Sequence, residues 1–170
     1  MNATHVNHLY RPPSRFETRA LGWLSRHCLL WLRVSLGLVF LGFGLLKFVP
    51  GLSPAQDLVR LTVEALTFGL VPGGVGLVLV AAMETAIGVS LVSGWHLRAG
   101  LVLLGLAMVG ILSPVVLFPE RLFAGPLSAP TLEGQYVLKD LVLLAAALVV
   151  AVAEFGRRQV GTGKEVRHGV

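Results

Sequence analysis

The stretch LEGQYVLKDLVLLAAALVVAV, residues 132–152, decides how this chain is read. From Leu141 onward it holds only leucine, valine and alanine. It is also long enough to cross a hydrocarbon core, for which about 20 mostly apolar residues suffice. Yet Lys139 and Asp140 stand side by side within it. An ionised side chain at the bilayer centre costs about 2.5 to 3.5 kcal/mol on insertion scales. A chain that keeps such groups must pair them or turn them towards a polar cavity. Glu84, near the middle of a second apolar stretch, and Lys47, near the end of a third, break the pattern in the same way.

Composition agrees with a membrane setting. Of the 170 residues 55% are hydrophobic and 14% charged, with a mean hydropathy of +0.78. Soluble domains carry about 25% charged residues. The length accommodates one bundle of four spans with short loops, and no separate soluble domain. The single cysteine, Cys28, excludes an intrachain disulfide, a CxxC redox pair and a thiolate metal cage. The first 27 residues lack a short apolar core followed by a small-residue cleavage site, so no removable leader is expected.

The spacing predicts an all-helical integral membrane four-helix bundle over residues 28–156. An amino-terminal tail, 1–27, precedes it, and a basic carboxyl tail, 157–170, follows. The spans are expected at Cys28 to Val49, Val71 to Ser93, Ala99 to Phe118 and Thr131 to Glu154, with Pro114 near the end of the third. Helices satisfy their backbone groups internally, which the bilayer demands.

Basic residues give the orientation. Arg11, Arg15, Arg19 and Arg26 precede the first span, Arg98 follows the second, and Arg157, Arg158, Lys164 and Arg167 follow the fourth. The other two connections hold only Arg60 and Arg121, each beside acidic residues. Positive-inside reasoning places both termini in the cytoplasm, and Trp23, Trp31 and Trp95 then mark the inner interface. The pI near 10.1 is explained by these flanking charges and anionic headgroups. No basic patch stands apart to bind nucleic acid.

Two flanking segments have helical patterns of their own. Ser53-Pro54-Ala55-Gln56 reads as a capping box with Pro at the first helical position. It is expected to open a short interfacial helix on the outer side, with Leu58, Leu61, Ala65 and Phe68 on its inward face. Arg15 to Arg26, interleaved with Phe16, Leu21 and Leu24, reads as a weaker helix on the inner surface. The tails beyond His8 and Gly161 are expected to be loose.

The charges fall into stripes. Arg33, Gly37, Phe40, Gly44 and Lys47 recur at steps of four and three, so they share one helix face. Glycines on that face admit a close neighbour. Glu84 shares a stripe with Ala81, Gly88 and Leu91; Glu133, Tyr136 and Asp140 share another, with Gln135 and Lys139 beside it. By the helical rise, Lys139 and Asp140 lie roughly 10 Å and Glu84 roughly 18 Å below the outer ends of their spans. Lys47 is expected near the outer edge and Arg33 near the cytoplasmic face, snorkelling inward or reaching towards Glu84. Lys47, Glu84, Tyr136, Lys139 and Asp140 are therefore expected to form one outer-half network. Arg33, Lys47 and Lys139 balance Glu84, Asp140 and Glu133 in formal charge.

Such a network either binds a polar or redox-active ligand and relays protons, or is a static set of ion pairs that fixes helix register; the residues leave both open. In the first case Glu84, Lys139 and Asp140 are the chemical groups, with Glu84 the natural proton carrier. Arg33, Lys47, Tyr136, Glu133 and Gln135 are then the binding set. His5, His8, His27, His96 and His168 lie in tails or at the interface without ligand spacing, so no metal or haem site is expected. Met83 and Met108 read as packing residues. No GxGxxG or phosphate loop appears.

Arg33 with Gly44-Leu45-Leu46-Lys47, Glu84 with Gly88, and Leu138-Lys139-Asp140 occur in successive spans. In that order they resemble the pattern of DoxX-like bacterial membrane proteins and a related inner-membrane group associated with oxidative and chlorine stress. The resemblance covers most of Leu32 to Ala153. It implies a four-helix protein of the bacterial cytoplasmic membrane, with a role in redox or stress physiology and Arg33, Lys47, Glu84, Lys139 and Asp140 as the shared polar set. One branch of the family is a subunit of a thiosulfate:quinone oxidoreductase. The resemblance therefore implies a quinone or small anion as ligand, with a redox-enzyme partner or a homo-oligomer as assembly. A non-catalytic partner subunit or assembly factor, and a small oligomeric transporter, are the alternatives. The lack of a cysteine pair separates this chain from thiol-active relatives.

Overall fold

The computed structural model describes residues 14–124 and 129–165, with side chains at all of these except 15 and 157–165. His5, His8, Arg11, Arg167 and His168, and the side chains of Arg15, Arg157, Arg158 and Lys164, lie outside the described residues. Within them the chain is helical, and four helices are long and apolar enough to cross a membrane.

The first, α1 (Arg15–Lys47), is one unbroken helix of 33 residues. The inner-surface helix expected over Arg15 to Arg26, leading into the first span, is continuous with that span. No proline interrupts residues 15–47, so nothing breaks the backbone ladder where the composition changes. The helix is anchored by a capping box at Ser14. The Ser14 hydroxyl accepts from the Glu17 amide (3.2 Å), and the Glu17 carboxylate accepts from the Ser14 amide (2.6 Å).

Helix α2 (Gln56–Leu66) follows a turn at Pro50-Gly51. The expected cap at Ser53 is not made. Ala55 occupies the N-cap without a side-chain bond, and the buried Ser53 hydroxyl has no partner among the described residues. The Gln56 amide is used elsewhere, closing the turn that ends α1. Its oxygen accepts from the Gly51 amide (3.0 Å) and its nitrogen donates to the Val49 carbonyl (3.1 Å). The buried face of α2 is also rotated from the expected one. Leu58 and Thr62 are inside, whereas Leu61 and Phe68 are exposed. The rotation follows from α3 (Gly73–Ser93), whose early glycines admit α2 closely. Val63 fills the space a side chain at Gly76 would take, and Glu64 accepts from the Gly73 amide at 2.8 Å.

Gly94, in the left-handed region at φ 76°, ends α3 as helix C-terminal glycines do. A short connection then leads into α4 (Leu97–Leu112). Pro114 divides the third span where a proline cannot continue the ladder, giving the single turn α5 (Pro114–Leu117). Pro119 opens another, α6 (Pro119–Leu122). The last helix, α7 (Leu132–Glu165), continues past Gly161, where a loose tail is expected.

The core lies between α1, α3, α4 and α7. Leu36, Phe40, Ile87, Leu91, Leu104, Met108, Ala147 and Val150 form its main cluster. A second cluster, Leu58, Leu122 and Val137, ties α2 and α6 to α7. The stripes read from the sequence face inward: Gly37, Phe40, Gly44 and Lys47 on α1, and Ala81, Glu84, Gly88 and Leu91 on α3, are all buried.

Candidate functional site

The site begins with the register of α1 against α3. The two helices run antiparallel and touch through glycines. A Cβ at Gly37 would stand 2.9 Å from Leu91 and Val92, one at Gly44 would stand 2.7 Å from Thr85, and one at Gly88 would meet the Leu41 backbone. That register carries Lys47, one turn beyond Gly44, level with the turn of α3 that holds Glu84. Glu84 is about 17 Å along α3 from Gly73 by the helical rise. Lys47 therefore lies well inside the bundle and not near its edge, where span length alone puts it. The end of α3 that extends past α1 is covered by α2.

The Lys47 ammonium meets the Glu84 carboxylate at 2.6 Å, and each side chain is only 6% exposed. Lys47 also donates to the Phe43 carbonyl (3.5 Å), and its ammonium stands 5.8 Å from the centre of the Phe43 ring. With both charges withdrawn from solvent, each needs the other: removing either leaves an uncompensated buried ion.

Beside this pair lies a cavity of about 590 Å³, bounded by α1, α2, α3, α4 and α7. Its walls are largely apolar, with Val39, Phe40 and Phe43 on α1, Leu58, Val59 and Val63 on α2, Val80 and Met83 on α3, Ala107 and Ile111 on α4, and Val137 and Leu143 on α7. Lys47, Glu84, Tyr136, Lys139 and Asp140 also line it, together with Thr62, whose hydroxyl donates to the Leu58 carbonyl at 2.6 Å. Five of the residues expected in one network thus share one cavity.

Those on α7 are arranged differently from the Lys47–Glu84 pair. Asp140 is half-buried, its charge is coupled to those of Glu84 and Lys47, and it has no hydrogen bond or ion pair among the described residues. Lys139 is exposed at the rim, with its ammonium 5.6 Å from the centre of the Tyr136 ring. Adjacent residues on a helix point about 100° apart, so Lys139 does not neutralise its neighbour. The Tyr136 ring meets Phe43 edge-on at 6.4 Å, joining α7 to α1 across the cavity.

Three expected members stand elsewhere. Arg33 is at the opposite end of the bundle, beside Gly94, with its buried Nε unpartnered among the described residues; the length of α1 separates it from Glu84. Glu133, in the first turn of α7, is held by Arg121 through two bonds of 3.0 and 3.2 Å, because α6 packs against that turn. Gln135 is exposed and donates to the Pro130 carbonyl at 3.4 Å. The charge balance is therefore met by separate pairs: Lys47 with Glu84, Arg121 with Glu133, and Arg98 with Glu154 at 3.3 Å.

Sequence reasoning sets α2 over the mouth of the bundle, as a lid or as an interfacial helix without a task, whereas it forms one wall of the cavity; Met83, read as a packing residue, lines it too. The glycines at 73 and 76 are the signal for α2, since they make α3 approachable at the level of its first two turns. Among the described residues no three His, Cys, Asp or Glu side chains gather to hold a metal ion. Comparison with protein-family models, curated proteins and solved structures finds no match to this chain.

Proposed function

We propose that this chain is a multi-pass protein of the bacterial cytoplasmic membrane, DoxX-like in the order of its charged residues, with both termini in the cytoplasm. In this reading it binds a small lipid-soluble molecule of the quinone class in the service of redox or stress physiology. The observation that carries the reading is the cavity itself, with apolar walls on five helices and a polar cluster on one side. That combination fits a ligand with an apolar body and a single polar head. Tyr136 and Lys139 at the rim supply hydrogen-bond donors for carbonyl oxygens, and Asp140 supplies an acceptor for a proton. Lys47 and Glu84 hold α1 against α3 at the level of the cavity.

A quinone with a short tail and its quinol, each titrated against the pure protein in nanodiscs, test this reading. Saturable binding above that of empty nanodiscs, weakened by Lys139→Met, supports it. Binding equal to empty nanodiscs refutes it.

The second reading is a partner subunit whose charges only order the helices. The closed Lys47–Glu84 pair, with neither group left over for a ligand, favours it. Co-purification of the same redox enzyme in mild detergent, together with no ligand binding, distinguishes it from the first.

A further inference from the structure

We propose that the cavity selects molecules whose polar head donates a hydrogen bond, and that Asp140 is the residue that selects them. This deepens the reading of the cavity as a binding site for a molecule of the quinone class, and rests on it: of that class the hydroxyl-bearing reduced form, the quinol, is selected over the quinone, whose head only accepts. Four charged groups line the cavity. Two cancel each other, since Lys47 and Glu84 are locked together at 2.6 Å. The third, Lys139, is exposed at the rim over the Tyr136 ring. Asp140 remains as a half-buried carboxylate lining a largely apolar cavity, without a hydrogen bond or ion pair among the described residues.

A carboxylate is an acceptor only, and in apolar surroundings it is costly until a donor reaches it. The donors that other helices bring to the cavity are engaged elsewhere: Lys47 is held by Glu84, and the Thr62 hydroxyl donates to the Leu58 carbonyl. A ligand whose head bears a hydroxyl or an ammonium satisfies Asp140; one whose head only accepts sets oxygen against oxygen. The cavity thus discriminates by the direction of one hydrogen bond, with the apolar body contributing affinity but no choice.

Two redox-inert probes isolate that bond: 4-hexylphenol, which donates, and 4-hexylanisole, the same shape with the donor methylated. Both are titrated by calorimetry against the full chain in nanodiscs, with empty nanodiscs as reference, and a 4-hexylbenzylammonium arm distinguishes an ammonium head from a hydroxyl. We expect at least one donor probe to bind about tenfold or more tightly than the ether, the scale of a hydrogen bond to a charged group. In Asp140→Asn, whose amide both donates and accepts, that ratio falls to within about threefold. The wild-type comparison stands even if that variant does not fold. Equal binding of phenol, ammonium and ether overturns the selection while leaving the cavity a binding site. A preference unchanged in folded Asp140→Asn overturns the role of Asp140. Binding of no probe above the reference overturns this proposal together with the reading beneath it.

Discussion

Lys47 ends α1 level with Glu84, and the two side chains meet at 2.6 Å inside the bundle. The contact locks the register that the glycine contacts set between α1 and α3, at the level of the cavity that α2 covers.

Removing one member of that pair strands the other as a bare buried ion. Lys47→Met or Glu84→Leu alone is expected to cost about 3 to 5 kcal/mol, whereas the double substitution recovers most of the loss. Unfolding of the four proteins in detergent, read as a double-mutant cycle, checks this. A loss in the double variant as large as the two single losses combined contradicts it.

The glycine contacts should be sharply position-dependent. Gly88→Ala drives a methyl into the Leu41 backbone and is expected to destabilise by about 1 to 3 kcal/mol. Gly42→Ala, on the same helix pair but with nothing within 4 Å, is expected to be neutral or to stabilise by up to about 1 kcal/mol. Thermal unfolding of the two variants side by side measures the contrast.

Gly110 lines the cavity, and a Cβ there meets nothing within 4 Å. Gly110→Leu therefore extends into the empty space. Ligand binding is expected to weaken by about tenfold or more, while stability stays level or rises by up to about 1 kcal/mol. Calorimetry and thermal unfolding on one sample separate blocked binding from damaged folding.

The Arg121–Glu133 and Arg98–Glu154 pairs are partly exposed, unlike the central one. Arg121→Ala is expected to cost no more than about 1 kcal/mol and to leave ligand affinity unchanged. A larger loss of stability, or an altered affinity, shows that the pair shapes the cavity.

The faces of the helices were legible in the sequence; their relative heights were not. Period and residue size suffice to show that Gly37, Phe40, Gly44 and Lys47 point inward and that Glu84 lies among small residues. Nothing in a single helix's pattern states which turn of its neighbour it will meet. That register is set by glycine contacts between helices, which is why Lys47 is read at the edge yet lies level with Glu84. The same gap separates Arg33 and Glu133 from the cluster. Arg33 shares the inward stripe but lies a helix length away, and Glu133 is captured by Arg121 from a turn that Pro119 starts. Two similar cap patterns, before different helices, have different outcomes. Ser14 with Glu17 forms the capping box, while Ser53 with Gln56 does not, because Gln56 is needed by the turn that ends α1.

The most direct test of a shared cavity is an experimental structure of the protein in lipid with a bromine-labelled alkylphenol, read by anomalous scattering. The account expects the bromine between Met83 and Ile111, with the phenol oxygen within hydrogen-bond distance of Asp140. Label found only on the outer surface of the bundle, with Asp140 turned to lipid away from Lys47 and Glu84, contradicts it.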